Sequence, residues 1–354
     1  MQADSGQRRA PVMTDVARLA GVSHQTVSRV INNHPNVSAR TRRRVETAIA
    51  GLGYRRNIAA RALVTRKSTT VGVIGVESAQ FGPANTLIGV QNAARAAGYF
   101  VSVAGLASPT LNAVQDAVGH LLDQGVDGIV VIAPHAAVFD ELLLLDLPVP
   151  LVTIGDPAYS SLTARPSGHA VVSVGVDQEL GAWRAVRHLI ELGHEQIAHL
   201  AGPPDWIDAT ARQAGWRRAL RGANLPVTDP YEGDWSAASG YRLGPKILAA
   251  SAATAVFVAN DQMSIGLLCA LHEAAIRVPE DVSVVGFDDL PEAGYALPPL
   301  TTVRQDFQEL GRRCIAVLLE RVNGTAVPAP PPVQPELIRR SSAARRTSSS
   351  TRNH

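Results

Sequence analysis

Cysteine is scarce in this chain: Cys269 and Cys314 are the only two in 354 residues. No CxxC pair exists, so neither a disulfide framework nor a zinc-binding cysteine set is available. Both thiols sit in apolar, helix-like contexts, LLCALHEA and RCIAVLLE. Each is expected to be buried as a small hydrophobe. Long apolar runs are also missing. Segments such as Gly128–Pro134 have strand length and fall short of the roughly 20 residues that a membrane span needs. Met1–Pro11 holds no apolar stretch that would serve as a secretory signal, which makes the cytoplasm the expected location. The sequence has no P-loop, no GxGxxG after its first strand, no GxSxG and no HExxH. His135, His169, His194, His199 and His272 lack metal-ligand spacing. The expectation is a protein with no catalytic centre, no cofactor and no metal.

Charge is present and unevenly spread. The net charge is only +2. Between Met1 and Lys67, however, 13 Arg and Lys face 3 Asp and Glu, a net of +10. Ser68–Ile338 carries −13, and the tail from Arg339 adds five arginines without an acid. A basic head on an acidic body is expected where only the head meets a polyanion.

The head carries a pattern that can be followed residue by residue. Thr14 is positioned to cap a first helix, with Asp15 in its first turn. Val16, Ala17 and Ala20 share one face, and Gly21 permits a turn. Ser23 can cap a second helix from His24, in which Val27, Val30 and Ile31 recur at i, i+3 and i+4. His24, Gln25, Ser28 and Arg29 fall on the opposite side. Ser38 can cap a third helix, Ala39–Leu52, whose Val45, Ile49 and Leu52 close a small core beneath Arg40, Arg42, Arg43 and Arg44. A second helix of this kind enters the DNA major groove N-terminus first. There Gln25 suits adenine and Arg29 suits guanine, each worth about 1–3 kcal/mol of discrimination. Thr14, Ser38 and the helix-start N–H groups suit phosphates.

From Thr69 onward, apolar strand-like runs alternate with amphipathic helical stretches, which predicts βαβ units and parallel sheets. The predicted strands are Val71–Val76, Phe100–Ala104, Gly128–Ala133, Pro150–Ile154, Val171–Val176, Gln196–Ala201, Ala255–Ala259 and Val282–Phe287. They read as unbroken apolar runs, as strands do when helices cover both faces. The stretch is too long for one ordinary doubly wound sheet. Two lobes are therefore expected, with a ligand between them at the carboxyl ends of the strands. The expected fold class is α/β: a small all-α helix-turn-helix head plus a two-lobed core of parallel sheets flanked by helices.

The segment TDVARLAGVSHQTVSRVINNHPNVSARTRRRVETAIAGLGY resembles the DNA-binding head of the LacI/GalR family of bacterial regulators. The resemblance runs from about Pro11 to Arg340. It includes ELGHEQIAHLAGPPDW, EGDWSAASGY, VANDQMSIG, VPEDVSVVGFDDL and PPLTTVRQDFQELG. It implies a periplasmic-binding-protein-like core, double-stranded operator DNA as a partner, a small sugar effector and a homodimer. The missing leucine heptad favours a dimer over a tetramer. The implied division is a head at 12–57, a hinge helix at 58–67 and a core at 68–340. Lobe 1 spans about 68–175 and 306–334, and lobe 2 about 176–305 and 335–340. A disordered tail is expected at 341–354, which is Ser/Arg-rich and low in complexity.

The resemblance places Thr14, Ser23, His24, Gln25, Thr26, Ser28, Arg29, Asn32 and Ser38 against DNA. Leu63 stands where the family pushes a leucine into the minor groove. His24, Gln25 and Arg29 match the base-reading positions. Arg212, Trp235, Asn260, Asp288, Gln305 and Phe307 match effector-contacting positions. One departure stands out. Where a close relative carries a first-lobe aspartate, this chain has Gly155, with Asp156 one place later. Either Asp156 substitutes from a shifted loop, or the sugar differs. Two rival readings remain at this stage: an α/β enzyme, and an extracytoplasmic sugar-binding protein. The first lacks the catalytic motifs, and the second would need a signal peptide and would not carry the head.

Overall fold

The computed structural model describes residues 11–54, 67–76, 80–106, 110–132, 135–155, 171–250 and 252–346. Leu63 and Asp156 lie outside the described residues, as do 55–66 and 347–354. The chain divides into two compact units, one ending at Ser68 and the other beginning at Thr69. Among the described residues, no helix is long and apolar enough to cross a membrane.

The first unit has three helices: α1 (Met13–Ala20), α2 (His24–Ile31) and α3 (Ala39–Leu52). Ser23 and Ser38 cap α2 and α3 in the same way. Each hydroxyl accepts the N–H three residues on, from Thr26 and Thr41, at 3.2 Å. Thr14 is not a cap. The first helix begins one residue earlier, and the Asp15 carboxylate accepts from the Val12 N–H at 3.0 Å. That leaves Thr14 exposed on the first turn. Val16, Ala17, Ala20, Val27, Val30, Val45, Ala48 and Tyr54 form the core, with Ile31, Ile49 and Leu52 packed on its edge. Tyr54 is reached because Gly53 ends α3 at φ 61°, a left-handed cap that turns the chain back.

The second unit holds two parallel sheets. In lobe 1, β1 (Thr70–Val76), β2 (Phe100–Leu106), β3 (Gly128–Ile132), β4 (Leu151–Ile154) and β5 (Val172–Val174) lie in the order β2-β1-β3-β4-β5. Helices α4 (Phe81–Ala96) and α11 (Phe307–Val322) cover one face, and α5 (Leu111–Asp123) and α6 (Ala136–Leu144) the other. In lobe 2, β6 (Ile197–Ala201), β7 (Tyr231–Glu232), β8 (Ala255–Val258) and β9 (Ser283–Val285) lie in the order β7-β6-β8-β9. Helices α7 (Gln178–Glu191) and α8 (Ile207–Gly222) pack on one face, and α9 (Ala237–Ala250) and α10 (Asp261–Glu273) on the other. A short antiparallel pair, β10 (Thr302–Arg304) and β11 (Glu336–Ile338), completes the unit. The crossing segments run side by side. Val333 donates to Gly175 O at 2.8 Å, and Asp177 donates to Val333 O at 3.0 Å.

Two expectations need correction. Ser341–Arg346 is not loose. Val284 N–H donates to Ser342 O at 2.8 Å, and the Ser342 hydroxyl donates to Val284 O at 2.6 Å. Arg346 N–H reaches Leu192 O at 2.9 Å. Strand β9 is at the edge of its sheet, and the tail pairs backbone groups that an open edge would leave bare. Cys314 is buried, but Cys269 is exposed, because it falls on the outer face of α10 beside Glu273.

Helices α4 and α11 approach closely through Gly89 and Gly311. A Cβ on Gly311 would lie 2.2 Å from the Gly89 carbonyl carbon, and one on Gly89 would lie 2.2 Å from Phe307 O. Backbone cannot step aside as a side chain does. Alanine gains about 1 kcal/mol of helix propensity, whereas such overpacking costs about 1–3 kcal/mol. Gly311→Ala should therefore lower the urea midpoint of unfolding. An unchanged or raised midpoint would show that the helices separate at little cost.

Candidate functional site

Two surfaces concentrate the chemistry. On the head, the inward valines of α2 hold its other side outward. His24, Gln25 and Arg29 are exposed, and Ser28 and Thr26 are half-buried. The Asn32 amide donates to the Ser28 hydroxyl at 3.3 Å, which stiffens the last turn. The arginines of α3 divide into two kinds. Arg42 donates to Val30 O, Asn33 Oδ1 and His34 O, and so ties the loop after α2. Arg44 donates to Ala20 O at 2.6 Å and Gly21 O at 3.3 Å, satisfying carbonyls at the end of α1. A Cβ on Gly21 would sit 2.8 Å from that guanidinium, so glycine serves both the turn and the arginine. Arg40 and Arg43 stay exposed for a polyanion.

The second surface is a cleft between the lobes, in two compartments of about 480 and 320 Å³ that share Gly82, Pro83 and Asp208. The larger is mostly apolar, with Ile132, Ile154, Val176, Leu310 and Phe307 beside Gln178 and Gln305. The smaller is lined by Phe81, Trp206, Trp235, Arg212, Asn260 and Asp288. Six effector positions expected from the sequence thus converge here: Arg212, Trp235, Asn260, Asp288, Gln305 and Phe307.

Their polar atoms form a closed ring. Arg212 Nε donates to Gln178 Oε1 at 3.0 Å. Gln178 Nε2 donates to Gln305 Oε1 at 2.8 Å, and Gln305 Nε2 donates to Asp288 Oδ1 at 2.7 Å. Asp288 Oδ1 lies 3.5 Å from Arg212 Nη2, which closes the ring. The Arg212 guanidinium also donates to Ala259 O and stacks 3.9 Å from the Phe287 ring centroid. Arg212 and Asp288 are both buried, so each charge depends on the other. Burial pushes the Asp288 carboxyl up to about 6, against the opposing pull of Arg212 and the Gln305 hydrogen bond. Asp288 also adopts φ 110°, a region unfavourable for a side-chain-bearing residue.

Trp235 is the aromatic wall. Its backbone sits at φ 70°, and its ring meets Trp206 edge-on at 5.4 Å. A Cβ on Gly202 would overlap that ring at 2.2 Å. The buried indole Nε1 has no hydrogen-bond partner among the described residues. A buried donor left unmade costs about 1–3 kcal/mol, which an acceptor on a ligand would recover. Asn260 does a different job. Its amide donates to Trp235 O at 3.0 Å, while its carbonyl caps α10 through Met263 N. It therefore holds the indole more than it offers free donors.

The two strand-end doublets, Asn260–Asp261 and Asp288–Asp289, split the same way. The first member of each lines the cleft, and the second staples the lobe. Asp261 accepts from Leu290 N and Thr302 Oγ1 at 2.9 and 2.6 Å, and burial raises its carboxyl well above the ordinary range. Asp289 pairs with Arg304 and Arg340. On the lobe 1 side, Gly155 lines the larger compartment, and a Cβ there would meet the Phe139 ring at 2.8 Å. Gln178, Trp206 and Asp208 also line the cleft. None of the three is among the positions expected from the sequence, although Gln178 follows β5 much as Asn260 follows β8. Across the cleft mouth, His135 of lobe 1 meets Asp205 of lobe 2 at 3.2 Å and pairs with the Trp206 backbone.

Comparison with known proteins places both surfaces in one lineage. Residues 12–57 match the family of bacterial regulatory proteins of the lacI type, and residues 186–343 match a periplasmic binding protein-like domain. The lactose operon repressor of Escherichia coli K12 is 37% identical over 317 residues, covering 88% of this chain and 85% of that protein. The structure of the lac repressor dimer bound to operator and an anti-inducer, ONPF, superposes with a TM-score of 0.80 at 34% identity, over 95% of this chain and all of that one. The complex of the transcriptional regulator CelR with cellobiose gives 0.68 at 34% identity, over 94% of this chain and all of that one. With a capped helix-turn-helix at its head, a two-sheet core behind it and this identity along nine-tenths of its length, the chain belongs to the lacI family of bacterial regulatory proteins.

Proposed function

We propose that this protein is a cytoplasmic, homodimeric transcriptional repressor that a small sugar releases from its operator. One observation carries the reading. A single chain joins a +10 helix-turn-helix head to a cleft walled by a buried Arg212–Asp288 pair and an indole with an unmet donor. The head suits DNA: His24, Gln25 and Arg29 reach base edges, while Thr14, Arg40 and Arg43 suit phosphates. The cleft suits a polyol. Asp288 accepts from hydroxyls, Arg212 donates a fork, and Trp235 offers both a flat face and an N–H. The relatives bear on the same reading, one bound to operator and the other to cellobiose.

A homodimer fits the surface of lobe 2. Tyr295, at the end of the Pro291–Tyr295 helix, and Leu297 just beyond it are 88% and 90% exposed, and Ile265 is exposed on α10. Apolar side chains presented this openly favour burial against a second copy. Two heads would then read the halves of a pseudo-palindrome. Linkage requires that DNA weaken sugar binding by the factor with which sugar weakens DNA binding.

The direct test is a sugar screen by thermal shift, followed by operator titration with each hit, since a ligand that binds only the folded state raises apparent stability. Lactose and cellobiose belong in the panel. A hit that leaves operator affinity unchanged would overturn the repressor reading. The head makes its own prediction. Arg29→Ala should cost about 1–3 kcal/mol of discrimination per half-site, with little loss on random DNA. Equal losses on both DNAs would instead make Arg29 a phosphate contact.

A further inference from the structure

Lobe 2 has a second pocket, far in character from the cleft. It is about 490 Å³ and is lined by Trp183, Arg184, Arg187, His188, Glu191, Leu337 and Arg339. The first five lie along one face of α7, and the last two come from β11 and its continuation. Helix α7 packs on the face of the lobe 2 sheet opposite α9 and α10. Ile265 and the Pro291–Tyr295 turn belong to the α10 side, so the pocket is turned away from the proposed dimer face.

The pocket is cationic in a body that is otherwise acidic. Three arginines line it against one carboxylate. Arg187 reaches Glu191 at 3.4 Å through one terminal nitrogen, and its buried Nε has no partner among the described residues. Arg184 donates to the Pro335 carbonyl, which leaves its charge uncompensated. Arg339 is exposed and makes no hydrogen bond or ion pair within the described residues. Burial and the Arg339 charge hold the His188 imidazole below its ordinary range, so the arginines supply the positive charge. The floor is aromatic. Arg187 lies 5.4 Å from the Trp183 ring centroid, and Arg218 of α8 lies 5.7 Å from it. Stacking on an indole holds a guanidinium in a fixed plane, which lowers the entropy lost when its fork engages an anion.

We propose that this pocket binds a small phosphate monoester. Arg187 and Arg339 would grip the phosphoryl oxygens, and Trp183 and Leu337 would face the organic part. Planar forked donors match phosphate geometry, and such charge-assisted hydrogen bonds are about twice as strong as neutral ones. The apolar wall of Trp183 and Leu337 gives an ester's substituent a place to lie.

The test is calorimetric titration of the full-length protein at low ionic strength with phenyl phosphate and with inorganic phosphate. The double variant R187Q/R339Q is compared with the unaltered chain. Phenyl phosphate should bind saturably and lose at least tenfold in affinity in the variant. Arg212→Ala should bind it as the unaltered chain does, which separates this pocket from the cleft. Thermal unfolding of the variant checks that the fold is kept, and the exposure of Arg339 makes a folding defect from that position small. Equal affinity in variant and unaltered protein overturns the site. Equal affinity for phenyl phosphate and inorganic phosphate overturns the assignment to an ester.

Discussion

Arg212→Ala should abolish release by the effector while operator binding survives. The residue is buried and touches Gln178, Ala259 O, Asp288, Asp208 and the rings of Phe287 and Trp235. Truncation removes the fork from the cleft and breaks the ring of hydrogen bonds that orients Gln178 and Gln305. It also leaves Asp288 buried without its counter-charge. Breaking a buried pair from one side costs about 3–5 kcal/mol. Part of that cost vanishes if Asp288 takes up a proton, since its carboxyl already titrates near 6. The head has its own core of Val16, Val27, Val30 and Val45, so the loss should stay within the second unit. Operator titration with and without sugar separates the outcomes. Arg212→Lys keeps the charge but not the fork, and should fail nearly as completely. A lysine variant that still releases DNA at normal sugar concentration would reduce Arg212 to a point charge.

The legibility of this molecule from sequence follows the range of the interactions involved. Short-range signals were readable. The Ser23 and Ser38 caps, the Gly21 turn and the alternation of strands with helices depend on residues a few places apart. A threonine before an apolar stripe looks like a cap, but Asp15 secures Val12, two places before Thr14. The tail misled because its partner, the open edge of β9, lies some 60 residues away, as with Val284 and Ser342. In the cleft, the residue types at strand ends were legible, but their division of labour was not. Nothing local distinguishes Asp288, which joins the ring, from Asp289, which staples Arg304 and Arg340. Gln178 was overlooked for a similar reason. Its partners Arg212 and Gln305 lie 34 and 127 residues away, so only the folded chain brings them together.

Asp288→Asn should stabilise the fold at neutral pH and disable the cleft. The carboxyl titrates near 6 in the folded chain against an ordinary value of 3.8, with burial as the main cause. The native state therefore holds an extra proton between about pH 4 and 6, and stability falls as pH rises through that window. Two units correspond to about 3 kcal/mol, the penalty that the charged carboxylate imposes at pH 7.5. Asparagine keeps an oxygen for the Gln305 amide and removes the charge. Arg212 loses that counter-charge but keeps Asp208 at 4.0 Å, and the value near 6 already includes the pull of Arg212. The substitution also removes the like charge that helps raise the Asp261 carboxyl. Relative to the unaltered chain, the variant should gain nothing at pH 4, gain through the window, and reach its full advantage by pH 7.5. Urea unfolding at these pH values measures the difference. The same variant loses the carboxylate that accepts sugar hydroxyls, so effector affinity should fall as stability rises. A buried charge that costs stability and serves the ligand is the expected signature of a functional site. A variant less stable than the unaltered chain at pH 7.5 would mean that the Arg212 pairing outweighs desolvation, and that Asp288 is retained for the fold.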